Sequence, residues 1–143
     1  MFISFEDRLS ESPLVERVWR CHSATGGAFH SMAESNLELV VSRLPAMVTV
    51  TLRGPVTRAS VAECPSRGEW LAIRFRPGVY FPSVPTYHLL DHRNLDLPVV
   101  DRRRFWFSGL LWNLPTYENA EELVERLLHE EAQLSFSYKT TGS

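Results

Sequence analysis

The sequence is poor in lysine and cysteine and contains no long apolar run. Lys139 is the only lysine, so arginines carry nearly all of the positive charge. Arginine is better suited than lysine to bidentate recognition of acids and to partial burial. The 15 basic residues stand against 17 acidic ones, which gives a formal charge of −2. This balance argues against direct nucleic-acid contact by the chain, because nucleic-acid-binding domains usually carry a clear basic excess.

Other missing features exclude whole classes of protein. No segment reaches the roughly 20 apolar residues that a membrane helix needs, and the N-terminus lacks the basic-then-apolar pattern of a signal peptide. The two cysteines, Cys21 and Cys64, are not spaced as a CxxC pair, which favours reduced thiols over a disulfide. We therefore expect one cytoplasmic domain of 143 residues without a membrane segment.

The usual signatures of catalysis and cofactor binding are also missing. The sequence has no GxSxG nucleophile elbow, and its glycines lack the GK[ST] ending of a phosphate-binding loop. His22 follows Cys21 directly, so the two side chains would point to opposite faces of a strand and could not form a dyad. His88 and His92 have helical i,i+4 spacing and could supply two metal ligands, but a zinc site needs at least three. We therefore expect no enzyme activity, no metal and no cofactor.

A run of short strands occupies the first half of the chain. Alternating apolar and polar residues predict strands at 14–22, 36–43, 47–53, 56–63 and 69–76, separated by turns rich in Gly, Pro and Ser. On the first of these strands, Val15, Arg17, Trp19 and Cys21 are predicted to share one face. The short connection between the second and third strands predicts a hairpin over residues 37–53. Strands at this spacing are typical of a β-sandwich or a small barrel.

The second half of the chain is predicted to be helical. Ser83 could cap a short helix with Pro85 in its first turn. The aromatic-rich segment 101–114 is predicted to form a helix that ends before Pro115. Strands followed by helices indicate an α+β fold rather than a parallel α/β sheet.

The clearest helix signal begins near residue 119. Asn119 is a suitable N-cap and Glu122 occupies the capping-box position. An apolar stripe at helical spacing follows, made of Ala120, Leu123, Val124, Leu127 and Leu128. The polar residues 135–143 predict a frayed, flexible tail.

Polar side chains embedded in apolar strands are the candidates for a binding site. Arg74 alternates with apolar residues on the strand 69–76, and a buried arginine needs a carboxylate partner, for which Glu38 on a neighbouring strand is a candidate. One interpretation is a small-molecule site with aromatic walls and a few convergent charges. The other is the solvated face of an antiparallel sheet. The residues concerned are Trp19, Glu38, Arg53, Arg58, Arg74 and Arg76.

Five stretches occur in a familiar order: SPLVERVWRCHS (12–23), ESNLELVVSR (34–43), LRGPVTRAS (52–60), LAIRFRPGVYF (71–81) and HLLDHRNLDLP (88–98). Together with the helical segment that follows, they resemble the N-terminal sensor domain of one branch of AraC-family bacterial transcription regulators. The most specific pieces are GP-x-TRA and the IRFRPG strand end. The resemblance covers nearly the whole chain.

The resemblance implies a cupin-like β-barrel over residues 1–100 and a helical linker and dimerisation region over residues 101–134, within one compact domain. It implies a homodimer that senses a small-molecule effector. The candidate ligand-binding residues are Trp19, Glu38, Arg58, Arg74 and Arg76. We expect the chain to be the sensor part alone, without the helix-turn-helix part that contacts DNA in this family. A stand-alone cupin-like enzyme, either an isomerase or metal-dependent, and a dimerisation module without a ligand remain the alternatives.

Overall fold

The structure is a computed structural model that describes residues 3–23, 27–31, 36–55, 60–64, 67–84, 89, 91 and 94–141. These residues form eleven β-strands followed by one α-helix. The first seven strands are β1 (Ile3–Leu9), β2 (Val15–Ser23), β3 (Gly27–Ser31), β4 (Glu38–Arg43), β5 (Val48–Arg53), β6 (Ser60–Cys64) and β7 (Gly68–Phe75). The remaining elements are β8 (Leu95–Leu97), β9 (Val99–Val100), β10 (Arg104–Phe107), β11 (Leu110–Asn113) and the helix α1 (Ala120–Thr141).

The strands form three antiparallel sheets. The largest has six strands in the order β1-β2-β7-β4-β5-β8, the second has the order β11-β10-β9, and the third pairs β3 with β6. Strands followed by one C-terminal helix confirm the predicted α+β class. Closure into a single barrel is not observed, because the described strands remain in three separately hydrogen-bonded sheets.

The predicted hairpin over residues 37–53 is confirmed by β4 and β5. Leu39 pairs with Leu52 and Val41 pairs with Val50, and all four side chains are buried. Alternate residues such as Thr51 are only half-buried, as expected for a strand whose faces have different neighbours. Apolar alternation therefore fixes the register at the centre of the large sheet.

The predicted face of Val15 is wrong. The pairing of β2 with β7 shifts between Val15 and Arg17, as in a β-bulge. The extra residue brings Val15 and Val18 onto the same buried face, although they are three positions apart. Trp19 therefore lies on the face opposite to Val15. The bulge therefore interrupts the regular alternation of faces between Val15 and Arg17.

One hydrophobic core joins residues from both halves of the chain. The rings of Phe75 and Phe81 lie 5.4 Å apart edge to face, and those of Phe81 and Phe107 lie 4.9 Å apart. The same cluster includes Leu123, Val124 and Leu127 of α1 and inward-facing residues of the large sheet. The predicted apolar stripe of the helix is thus confirmed, since it packs into this core.

The helix predicted over residues 101–114 is wrong. This segment contains the hairpin of β10 and β11, with Phe105 paired to Trp112. Ser108 and Gly109 form its turn, with φ angles of 56° and 73°, the pattern of a tight two-residue hairpin loop. Phe105 and Phe107 are buried while Trp106 is exposed, which is strand alternation and not a helical stripe.

Helix α1 begins where the sequence predicts. The Asn119 side chain accepts a hydrogen bond from the Thr116 backbone N–H at 2.7 Å, and Asn119 N–H donates to the Thr116 hydroxyl at 3.2 Å. The helix continues to Thr141, through the first part of the tail predicted at 135–143. No helix in the described part of the chain is long and apolar enough to cross a bilayer.

Ser83, the predicted cap of a short helix, contacts helix α1. Its hydroxyl bonds to the buried carboxylate of Glu131 in α1. Pro85 and the rest of the short helix predicted there lie outside the described residues.

Candidate functional site

A group of charged side chains lies in the middle of the six-stranded sheet. Glu38 on β4 is directly opposite Arg53 on β5 and Arg74 on β7. Because paired residues of neighbouring strands share a face, the carboxylate lies between the two guanidinium groups. Trp19 on β2 points to this face as well, and its indole N–H lies 3.4 Å from Glu38 Oε2. We call these four residues the Glu38 cluster.

The two arginines hold the carboxylate loosely. Arg53 Nη1 lies 3.7 Å from Glu38 Oε1, and Arg74 Nε lies 3.8 Å from Glu38 Oε2. Both distances exceed the roughly 2.7–2.9 Å of a charge-assisted hydrogen bond. The arrangement is therefore an ion cluster held by charge attraction at 3.7–3.8 Å and not by short hydrogen bonds from the arginines to Glu38.

Burial differs sharply within the cluster. The Glu38 side chain is 7% exposed, whereas the Arg53 and Arg74 side chains are 27% and 24% exposed. A carboxylate this buried must be compensated by nearby positive charge. Two cations around one acid leave the cluster with a net positive charge, so it is electrostatically suited to a ligand with an acidic group.

An aromatic wall stands beside these charges. The ring of Phe5 on β1 stacks on Trp19 with centroids 5.8 Å apart and an interplanar angle of 27°. Phe5 itself is 59% exposed, so this wall is accessible from solvent. An indole that offers both a ring face and an N–H is a common component of small-molecule sites.

The structure brings together three of the five predicted site residues, namely Trp19, Glu38 and Arg74. Arg76 contacts the backbone at another place. Its Nε donates to the Ser12 carbonyl at 2.6 Å and its Nη2 donates to the Ser10 carbonyl at 2.8 Å. These bonds tie the end of β7 to the connection between β1 and β2. Arg58 lies outside the described residues.

Arg53 was among the polar residues noted on the apolar strands but not among the five candidate ligand-binding residues, although the sequence contains the signal that places it beside Glu38. The hairpin over residues 37–53 has its turn near residues 44–47, so its two ends must pair. Pairing at the open end places Arg53 opposite Glu38. Counting back from the turn would therefore have added this residue to the candidate site.

The described side chains offer no group of three His, Cys, Asp or Glu residues that could hold a metal ion. His88 and His92, the two candidate ligands from the sequence, lie outside the described residues.

Comparison with protein-family models, with curated proteins and with solved structures finds no match to this chain. Function is therefore inferred from the arrangement of the residues themselves.

Proposed function

We propose that this chain is the ligand-sensing and dimerisation domain of an AraC-like transcriptional regulator, and that its effector binds at the Glu38 cluster. The observation that carries the proposal is the cluster itself. A nearly buried carboxylate lies between two arginines and a tryptophan, on the central strands of the largest sheet. Arginine, carboxylate and indole N–H groups gathered beside an accessible aromatic ring are the side chains from which small-molecule sites are commonly built.

The charges of the cluster favour an effector with an acidic group and a second polar group. The guanidinium donors of Arg53 and Arg74 match a carboxylate or phosphate. Glu38 would accept a hydrogen bond from a hydroxyl or amine of the same ligand. The accessible face of Phe5 beside Trp19 would cover an apolar part.

We further propose that the large sheet and the β3–β6 pair are the two walls of a cupin-like sandwich. The support is the sequence resemblance together with antiparallel pairing throughout both sheets. In such an arrangement the Glu38 cluster would lie on the inner face of the larger wall.

Strand β2 offers a route from the cluster to the helix. Trp19 and Arg20 are neighbours on this strand and point to opposite faces. The guanidinium of Arg20 lies 4.3 Å from the ring centroid of Tyr117 and 3.7 Å from Glu118, just before α1 begins. A ligand that moves β2 at Trp19 would therefore alter contacts at the start of α1, which is the kind of shift a sensor domain passes to an attached domain.

The dimerisation part of the proposal is supported by the exposed edge of the large sheet. Strand β1 is the outermost strand at one side, and it exposes Phe5 and Leu9, the latter by 70%. Unprotected edge strands with apolar side chains pair readily with a second chain. We expect the wild-type chain to sediment as a dimer and Leu9→Lys to sediment as a monomer. A wild-type chain that is monomeric at high concentration would contradict this part.

Ligand binding can be tested by a thermal-shift screen with small carboxylic and phosphorylated acids, followed by calorimetry. A ligand at about 100 times its Kd should raise Tm by roughly 5–10 °C for a chain of this size. Arg53→Met and Arg74→Met should each weaken binding of the same compound by about tenfold or more.

Arg103→Met is the matched control, because it removes the same charge from an exposed position outside the cluster. Binding that is equally strong in the wild type, in Arg53→Met and in Arg74→Met would remove the Glu38 cluster as the site. A stoichiometric metal found in the purified chain would favour the enzyme alternative instead.

A further inference from the structure

A second concave surface lies at one end of the large sheet, on the face opposite to the Glu38 cluster. It consists of two adjoining cavities of about 480 and 430 Å³ that share His22, Arg43 and Glu69. These three residues form a row across β2, β7 and β4, because Glu69 pairs with both of the others. We call this surface the trough.

One end of the trough is strongly basic. Its lining residues include Arg43, Arg67 and Arg102, with Glu69 as the single acid among them. Arg102 Nη2 donates to the Leu44 carbonyl at 3.0 Å, which fixes that side chain at the rim. Three guanidinium groups against one carboxylate produce a local excess of two positive charges, which attracts an anion.

Two of these arginines occupy unfavourable backbone positions. Arg67 has a φ of 58° and Arg102 a φ of 62°, in the left-handed region that glycine and asparagine adopt more easily. Each such residue costs stability by about 1 kcal/mol or more. Two separate turns thus carry an arginine where a residue with a lower conformational cost would fit, and both arginines line the same cavity. This coincidence is explained if their charge has a function.

The other end of the trough carries one more acid than base, and it also has apolar lining residues. Its acids Glu6 and Glu118 face Arg20, at 3.0 and 3.7 Å. Leu71 and Tyr117 line the same cavity. An apolar body can therefore rest here while a charged group reaches the arginines.

We propose that the trough binds an organic anion, with its acidic group on Arg43, Arg67 and Arg102 and its apolar body along Leu71 and Tyr117. This site is independent of the effector site proposed above. The trough residues Arg20, His22, Arg43 and Glu69 lie on the face opposite to the Glu38 cluster, because successive residues of a strand point to opposite faces. Only the end of the larger cavity also reaches Cys21 and Trp70 on the cluster's face.

The test uses three probes of one shape and different charge: 3-phenylpropanoate, its neutral amide 3-phenylpropanamide, and the cation 3-phenylpropylamine. Calorimetry on the full chain should show millimolar or tighter binding of the carboxylate and weaker binding of the amide and the amine. The double variant Arg67→Asn/Arg102→Asn should weaken carboxylate binding by about tenfold or more. Its Tm should equal or exceed that of the wild type, because asparagine tolerates the left-handed region better than arginine.

Two control variants locate the bound probe. Arg103→Asn removes one charge from the same turn as Arg102 and should leave carboxylate binding unchanged. Arg53→Met should also leave it unchanged, which separates this site from the proposed effector site, where Arg53 would bind the acidic group. The proposal is overturned if the amine binds as tightly as the carboxylate, if the double variant retains wild-type affinity, if Arg53→Met abolishes binding, or if the carboxylate does not bind at millimolar concentration.

Discussion

Replacing Glu121 with glutamine should make the chain less stable near neutral pH and leave it almost unchanged in acid. Glu121 lies in the first turn of α1. Its carboxylate accepts hydrogen bonds from both Nη groups of Arg8 on β1, at 2.5 and 2.7 Å. The Ser10 hydroxyl adds a third bond at 2.8 Å. This contact clamps the edge of the large sheet to the start of the helix.

The magnitude follows from the acidity of the carboxyl group. The hydrogen bonds from Arg8, followed by the bond from Ser10, lower the pKa of Glu121 from 4.5 to about 2, although partial burial acts in the opposite direction. Without solvent screening, this change in pKa would correspond to a contribution of about 3 kcal/mol to the free energy of unfolding. Because the side chains of Arg8 and Glu121 remain 31% and 23% exposed, solvent screening reduces the expected contribution to about 1–2 kcal/mol.

The pH dependence has a definite sign. A carboxyl whose pKa is lower in the folded state stabilises the fold above its unfolded pKa and loses that contribution as pH falls toward the folded pKa. The difference between wild type and Glu121→Gln should therefore be complete above pH 5.5 or so and should fall to about half near pH 3.

Urea unfolding followed by tryptophan fluorescence, at several pH values from neutral to acidic, measures this difference. Glu122→Gln is the matched control, since it removes an acid from the same helical turn but is exposed. It should cost only a few tenths of a kcal/mol through the helix dipole. A cost for Glu121→Gln that is independent of pH, or equal to that of Glu122→Gln, would refute the assigned role of the Arg8 contact.

Three further substitutions test the fold. Arg76→Met should cost about 1–2 kcal/mol in urea unfolding, because it removes two charged hydrogen bonds to carbonyls, and it should not change ligand binding if Arg76 is structural. Gly54→Ala should cost about 2 kcal/mol or more, because a Cβ there would meet the Leu89 backbone at 2.3 Å; an unchanged Tm would disprove this close approach. Phe81→Ala should cost about 3–5 kcal/mol, since its ring packs between two other phenylalanines; a loss below 1 kcal/mol or so would contradict its central place in the core.

The candidate site could be predicted only in part, for reasons that particular residues illustrate. Glu38 and Arg74 were identifiable because a charge within an alternating apolar strand is unusual. The role of Arg76 could not be predicted from its strand, because its partners are carbonyls at residues 10 and 12, more than 60 positions away. Pairing between distant segments is a tertiary property that no local pattern contains.

The hairpin over residues 104–113 shows a different kind of failure. A dense run of aromatic residues fits a buried helix or a strand equally well until the turn is considered. The Ser108-Gly109 dipeptide is the decisive signal, because Ser-Gly marks a turn in a sequence. In the structure both residues adopt positive φ, as in a tight hairpin loop. Aromatic content alone therefore does not distinguish a helix from a hairpin in this segment.

The sequence by itself determined β2, β4, β5 and β7, the terminal helix and the hairpin over residues 37–53, because these depend on local periodicity and short connections. It did not predict β1 and β3. Only the tertiary structure decided which distant side chains meet. It placed Arg53 and Arg74 on either side of Glu38, and it gathered Arg43, Arg67 and Arg102 around one cavity. Strand order and turn conformation bring such residues together, and both arise from packing of the whole chain rather than from neighbours in sequence.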